Sequence, residues 1–206
     1  FRRILKYFLY KLRFYNLRFA VLRNKDIKII IGAALTNQKG WYSTNEEWLD
    51  VSNSKDWHIL FKDKNIVSKV VAEHVFEHLS EKKMRYAINL IYKYLKKDGT
   101  LRIAVPDGNH PDPIYRSYTG IKGLGADASD HKQFIKYEFI RDILIECGCK
   151  TYIKEGYLMN GKLVRSDISS ELGFIKRTRS NKNLNKNYGW NFIDSNTSLI
   201  IDAIKL

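Results

Sequence analysis

A largely apolar run from Val67 to Ala72 stops abruptly at Glu73-His74-Val75-Phe76-Glu77-His78-Leu79, and Ser80 then opens an amphipathic pattern. The run has the length and β-branched content of a buried strand. It ends in two carboxylates and two imidazoles, groups that are costly to bury without partners. The place just past the carboxyl end of a strand is where open α/β sheets bind ligands. This stretch therefore constrains the chain to one of two designs: a sheet whose strand ends carry chemistry, or a solvated loop in which two histidines happen to fall.

The flanking sequence fits the sheet. Ile27 to Ile31 is a β-branched run ending at Gly32-Ala33-Ala34, and Trp41 to Thr44 is a second candidate strand. The link between them is about nine residues, shorter than the ten to twelve that a crossover with its helix requires. Any helix there is vestigial. Val51 after Asp50 predicts a very short third strand, and Lys55 to Phe61 a short helix or turn. After Ser80, a good N-cap, Met84, Ala87, Ile88, Ile91 and Leu95 form one helix face, with Lys96 and Lys97 at its C-terminal end. Asp98-Gly99 is a turn, Thr100 to Val105 the next strand, and Pro106-Asp107-Gly108 its stop. Residues 109–130 hold two of the three prolines and read as a long loop or lid. Phe139, Ile140, Ile143, Leu144 and Cys147 predict a helix stopped by Gly148. Lys150 to Glu155 is a strand, and Tyr157 to Val164 a hairpin around Asn160-Gly161. Ser198 to Ile204 is a final strand that can pair antiparallel beside the one from Lys150.

Charge adds a second constraint. The net charge is +14, yet residues 1–28 and 176–186 supply 13 of it by count. A nucleic-acid enzyme is expected to carry its charge around the cleft, and these segments reach a cleft only if the ends fold back over it. Residues 1–24 read as a basic amphipathic helix with Ile4, Leu5, Phe8, Leu9 and Leu12 at helical spacing. It covers the domain's own sheet, docks onto a preceding domain, or lies on an anionic membrane surface. The chain starts at Phe1 rather than Met, so we expect a segment before it. Cys147 and Cys149 match neither a redox nor a zinc spacing. Reduced thiols and a cytoplasmic location are the simplest reading. No run is long enough for a transmembrane helix.

Strand–Gly32, strand, strand–Glu73 to Leu79, helix, Leu101 to Gly108, Asp130-His131-Lys132 and Leu199 to Ala203, in that order, resemble the class I S-adenosylmethionine (SAM)-dependent methyltransferases. More narrowly they resemble a small group associated with glycan and cell-surface biosynthesis, sometimes fused to glycosyltransferases, including viral ones. The resemblance spans about Lys28 to Leu206. It implies an α/β, Rossmann-like sheet, mostly parallel with the last strand antiparallel, with a degenerate first crossover helix. On this reading residues 1–26 are an N-terminal helix linking to an upstream domain, and 27–206 are the methyltransferase domain. The implied cofactor is SAM. The implied acceptor is a sugar hydroxyl of a glycan, with no nucleic acid expected, an upstream glycosyltransferase domain as partner, and peripheral membrane contact through the N-terminal helix. If the chain is viral, the host cytoplasm is implied.

Position by position, the resemblance puts Gly32, Ala33 and Ala34 at the methionine part of the cofactor, Thr44 and Asn45 near the ribose, and Leu49, Asp50 and Val51 near the adenine. Glu73 and His74 close the pocket, and His78, Asp107 and His131 face the acceptor. Two departures stand out. The first loop of the family usually reads GxGxG, here Gly32-Ala33-Ala34, and the usual ribose-binding acid is replaced by Ser43-Thr44-Asn45. A degenerate, non-catalytic docking module is thus an alternative, as is methylation of RNA or another polyanion.

A hydroxyl acceptor must lose a proton, which a neutral histidine is suited to take. His74, His78, His110 and His131 all fall in the predicted C-terminal loops. His78 and His131 rank nearly level as the base, with Asp107 as an orienting carboxylate for either and third as a base itself. Asp107, His110, Asp112, Asp130 and His131 could instead hold Mg²⁺, although their spacing matches no fixed metal motif.

Overall fold

The computed structural model describes residues 2–34, 36–125, 127–180 and 197–206. Residues 181–186 of the second basic segment, with Lys182 and Lys186, lie outside the described residues, as do the side chains of Ile4 and Leu5.

Among the described residues seven strands make one sheet: β1 (Ile27–Ile31), β2 (Tyr42–Ser43), β3 (Val67–Glu73), β4 (Leu95–Val105), β5 (Cys149–Tyr157), β6 (Leu163–Arg165) and β7 (Leu199–Lys205), in the order β2-β1-β3-β4-β7-β5-β6. The first four pair in parallel. β7 inserts antiparallel between β4 and β5, so β5 runs with β1 to β4, and β6 folds back on β5 as the expected hairpin. The helices are α1 (Arg2–Leu22), α2 (Ser54–Phe61), α3 (Glu81–Tyr94), α4 (Pro113–Thr119) and α5 (Tyr137–Glu146).

The two sheet faces are covered differently. On one, Val70, Ala72, Leu101, Ile103 and Ile201 pack beneath the apolar faces of α2, α3 and α5 in a large core. Leu17, Ala20 and Val21 of α1 join that core, and Phe14 meets Trp48 edge-on at 5.8 Å. Of the three roles for the basic helix, covering its own domain is the one these contacts show. Its opposite side leaves Phe8, Leu12, Tyr15, Phe19 and Leu22 exposed at three- and four-residue spacing.

On the other face, Ile30, Val71, Ala104 and Ile200 are covered by Trp41, Ile168 and Ile175. Among its described residues the β1–β2 connection has no helix to offer this face, as its length dictates. A strap after β6, residues 166–180, crosses it instead. Gly173 (φ 109°) lies so close to the sheet that an added Cβ would sit 1.8 Å from Val71 Cγ2. Arg102 points into this face by strand alternation. Its guanidinium binds the cross-strand Asp202 in bidentate fashion and donates to the Ser169 and Gly173 carbonyls of the strap.

Three expectations need correction. Val51 is not a strand. Asp50 Oδ1 accepts from both the backbone N–H and the hydroxyl of Ser52, and this Asx turn outcompetes pairing by a single apolar residue. Leu95 begins β4 rather than ending α3. Residues 96–99 loop out between the pairs Val67–Leu95 and Lys69–Thr100, with Asp98 at φ 60° and Lys96 bound to Asp26. The long loop after β4 contains α4, capped by Asp112.

Candidate active site

From β1 the chain crosses to β2 on one side and β3 on the other, so the crevice outside their carboxyl ends is the topological switch point. A cavity of about 790 Å³ opens there, lined by Gly32, Ala33, Ala34, Glu73, His74 and His78. Gly32 turns the chain at φ 61°, and Ala34 follows at φ 46°. The loop is fixed from behind. Ala33 N–H donates to the Thr44 carbonyl at 2.8 Å, and Ala34 N–H to Asn45 Oδ1 at 2.9 Å.

Thr44 and Asn45 therefore support the loop from the interior. The Thr44 hydroxyl is fully buried and donates to the Ile30 carbonyl at 3.0 Å. Asn45 Nδ2 is a buried donor without a partner. Asp50 is spent on its own turn, and neither it, Thr44 nor Asn45 lines the cavity. Glu73 does line it, and its carboxylate accepts from Lys176 N–H at 3.0 Å and Arg177 N–H at 2.7 Å. The strap is thereby pinned over the strand ends, and Lys176 and Arg177 become cavity wall. Part of the second basic segment has folded back over the cleft.

The Glu73-to-Leu79 stretch turns sharply after β3. His74 takes φ 53° and donates its N–H to the Ala104 carbonyl. Phe76–His78 form a single 3₁₀ turn that drives Phe76 into the core. Glu77 goes inward with it and is 1% exposed. His131 arrives from the far end of the loop after β4. Its segment is tied to the turn by Lys132 N–H and Gln133 N–H, both donating to the Glu77 carbonyl, and by the Gln133 side chain on the Leu79 carbonyl. The His78 and His131 rings meet edge to face with centroids 4.8 Å apart.

Each imidazole has an orienting partner, but not Asp107. His78 Nδ1 is 2.9 Å from Asp130 Oδ1, and His131 Nδ1 is 2.9 Å from the Thr119 carbonyl. In each neutral ring Nδ1 carries the proton and Nε2 keeps its lone pair, a tautomer assigned from these partners. Asp107 is fully buried elsewhere. It accepts from Asn109 N–H and Tyr157 N–H, joining the ends of β4 and β5. Burial pushes its carboxyl up to about 6 against those two donors. The five residues considered for Mg²⁺ do not gather. Asp112 caps α4, and His110 stacks on the buried Tyr115 at 3.9 Å. The hydroxyl of Tyr115 accepts from Asp107 N–H and fixes the ring in a packing role.

No protein-family model matches the chain, and no curated protein is similar to it in sequence. Solved structures match it in fold. A SAM-dependent methyltransferase from Archaeoglobus fulgidus matches with a TM-score of 0.50 at 17% identity, over 97% of this chain and 99% of that one. A SAM-dependent methyltransferase from Mesorhizobium loti follows at 0.48 and 9% identity, over 88% and 81% of the two chains. Magnesium protoporphyrin IX methyltransferase from Synechocystis, with bound S-adenosylhomocysteine (SAH), matches at 0.44 and 10%, over 95% and 83%. The fold is thus the Rossmann-like fold of the SAM-dependent methyltransferases.

Proposed function

We propose that the chain is a SAM-dependent O-methyltransferase acting on a sugar hydroxyl of a glycan. The observation that carries it is the cavity at the β1/β3 switch point, with an oriented histidine pair at its edge. Its volume suits a cofactor together with part of an acceptor. The loop Gly32-Ala33-Ala34 and the Glu73-His74 strand end would hold the cofactor, and Asn45, whose Nδ2 is unpartnered, stands directly behind that loop. When bound, SAM supplies a sulfonium methyl group open to in-line displacement, so alignment does much of the catalysis. The protein's own contribution is at the acceptor. The His78–His131 pair, held by Asp130 and the Thr119 carbonyl, handles the proton that the hydroxyl must lose. The sugar rests on the resemblance of the sequence blocks to glycan-associated methyltransferases.

A second reading is favoured by one observation. Lys176 and Arg177 line the cavity, which suits an anionic acceptor such as RNA. Salt separates the two. Binding of a polyanion falls steeply with ionic strength, and binding of a neutral sugar does not.

The cofactor is tested by titrating the chain with SAH and following its melting temperature, which should rise by linkage. Replacing Ala33, which lines the cavity, by isoleucine should remove the rise. No shift at millimolar SAH would favour the docking-module alternative.

A further inference from the structure

Glu77 is the least explained group in the site. Its carboxylate is buried, and neither oxygen has a hydrogen-bonding partner. His74 Nδ1 comes within 2.9 Å of Oε1, an ion-pair distance, but without the alignment of a hydrogen bond. A carboxylate at this depth with no donor is costly and calls for a missing positive partner. Besides His74, two further imidazoles face it. One donor atom from each of Glu77, His78 and His131 lies within 4.8 Å of the others.

The surroundings of the histidines supply a second, independent observation. Histidines that ligate metals almost always donate their other ring N–H to a carboxylate or a backbone carbonyl. His78 does the first, to Asp130, and His131 the second, to Thr119. Both Nε2 lone pairs are left over, near a carboxylate whose oxygens have no hydrogen-bonding partner. The backbone bonds from Lys132 and Gln133 to the Glu77 carbonyl hold the two ligand segments in register.

We propose that Glu77, His78 and His131 form a binding site for a divalent first-row transition-metal ion, Zn²⁺ by ligand type. Two imidazoles and one carboxylate are the ligands of several catalytic zinc sites, which leave a fourth position open. Mg²⁺ prefers oxygen ligands and keeps its water. A tetrahedral ion with bonds of about 2.0–2.1 Å sets its ligand atoms about 3.3 Å apart. The site therefore closes by roughly 1.5 Å on binding, within the reach of side-chain torsions. His78 also lines the cofactor cavity, so the open position faces the space an acceptor would enter. An ion there would hold an acceptor oxygen and lower its pKa, so that the proton passes to solvent rather than to the imidazole lone pairs that the ion takes up. That consequence rests on the methyltransferase reading. The metal site itself does not.

The test uses the full chain, stripped with a chelator, dialysed, and titrated with Zn²⁺ without SAM or SAH. One ion per chain by calorimetry and elemental analysis, with a raised melting temperature, is the expected result. Glu77→Gln and His131→Ala should lose the ion, Asp130→Asn should weaken it by roughly 10- to 100-fold, and His110→Ala should bind as the wild type does. Circular dichroism checks that each variant folds, and the wild-type stoichiometry decides the matter even if one does not. No Zn²⁺ uptake by the wild type, undiminished uptake by a folded Glu77→Gln or His131→Ala, or a preference for Mg²⁺ would overturn the proposal. Because the SAH titration is separate, a chain that binds Zn²⁺ but not SAH refutes the methyltransferase reading alone. The converse result refutes the metal site alone.

Discussion

Replacing Arg102 with methionine tests whether a buried charge substitutes for the missing helix layer. Arg102 is 1% exposed and makes four donations: Nε and Nη2 to Asp202 at 2.6 and 2.8 Å, and Nη1 to the Ser169 and Gly173 carbonyls at 2.7 and 2.8 Å. Methionine keeps most of the stem's volume and removes all four. It leaves the Asp202 carboxylate, 4% exposed, as an uncompensated buried charge. Breaking such a pair from one side costs about 3–5 kcal/mol. For a chain of this size that is a fall of roughly 6–20 °C in melting temperature. The strap is loosened at the same time. Because its Lys176 and Arg177 N–H groups bind Glu73 at the cavity, SAH affinity should fall too. Adding Asp202→Leu removes the stranded charge and should restore most of the stability. It cannot restore the tether to Ser169 and Gly173, so limited proteolysis within 166–175 should stay faster than in the wild type. Urea unfolding and a protease time course read the two effects separately. A single variant within 1 kcal/mol of wild type, or a double variant less stable than the single, would refute the account.

Asp107 predicts a pH effect. Burial raises its carboxyl from the usual 3.8 to about 6, so the folded state prefers the protonated form. Its contribution to stability is complete below about pH 4 and is lost as pH rises through about 6, a span of roughly 3 kcal/mol. Urea midpoints at pH 4 and pH 7 should show this component in the wild type and not in Asp107→Asn; an unchanged slope in the variant would contradict it. The outward stripe of α1, with Phe8, Leu12, Tyr15, Phe19 and Leu22 among Lys/Arg and no acid before Asp26, is proposed to bind anionic lipid. The chain should sediment with vesicles containing phosphatidylserine and not with neutral ones, and Phe19→Glu should abolish the difference. Equal sedimentation with both would argue against it.

Most of the sheet was legible because its strands announce themselves as β-branched runs, and the helixless first crossover followed from the length of its link. The strap was not legible. Ser166 to Ile175 has no apolar period, and its place is set by acceptors that meet Arg102 from far along the chain. One signal could have found it: Arg102 interrupts the apolar stretch Leu101 to Val105, and a charge in a central strand needs buried partners on its own face.

The site divides along the same line. His78 and His131 could be selected from sequence because two imidazoles near strand ends are unusual, but their partners could not, since neighbours in the chain point different ways. Asp130 precedes His131 and yet binds His78, while His131 turns to a backbone carbonyl in another segment. Asp107 looked like an orienting carboxylate, but its two oxygens are consumed by backbone donors of the loop after β4 and of β5. Glu77 stood in view between Phe76 and His78, and its importance was still hidden. An acid becomes informative only when the fold denies it water, and that is decided by where the Phe76 ring goes. Once Phe76 anchors the 3₁₀ turn in the core, the next residue follows it inward, and the fold has to supply that carboxylate with a counter-charge.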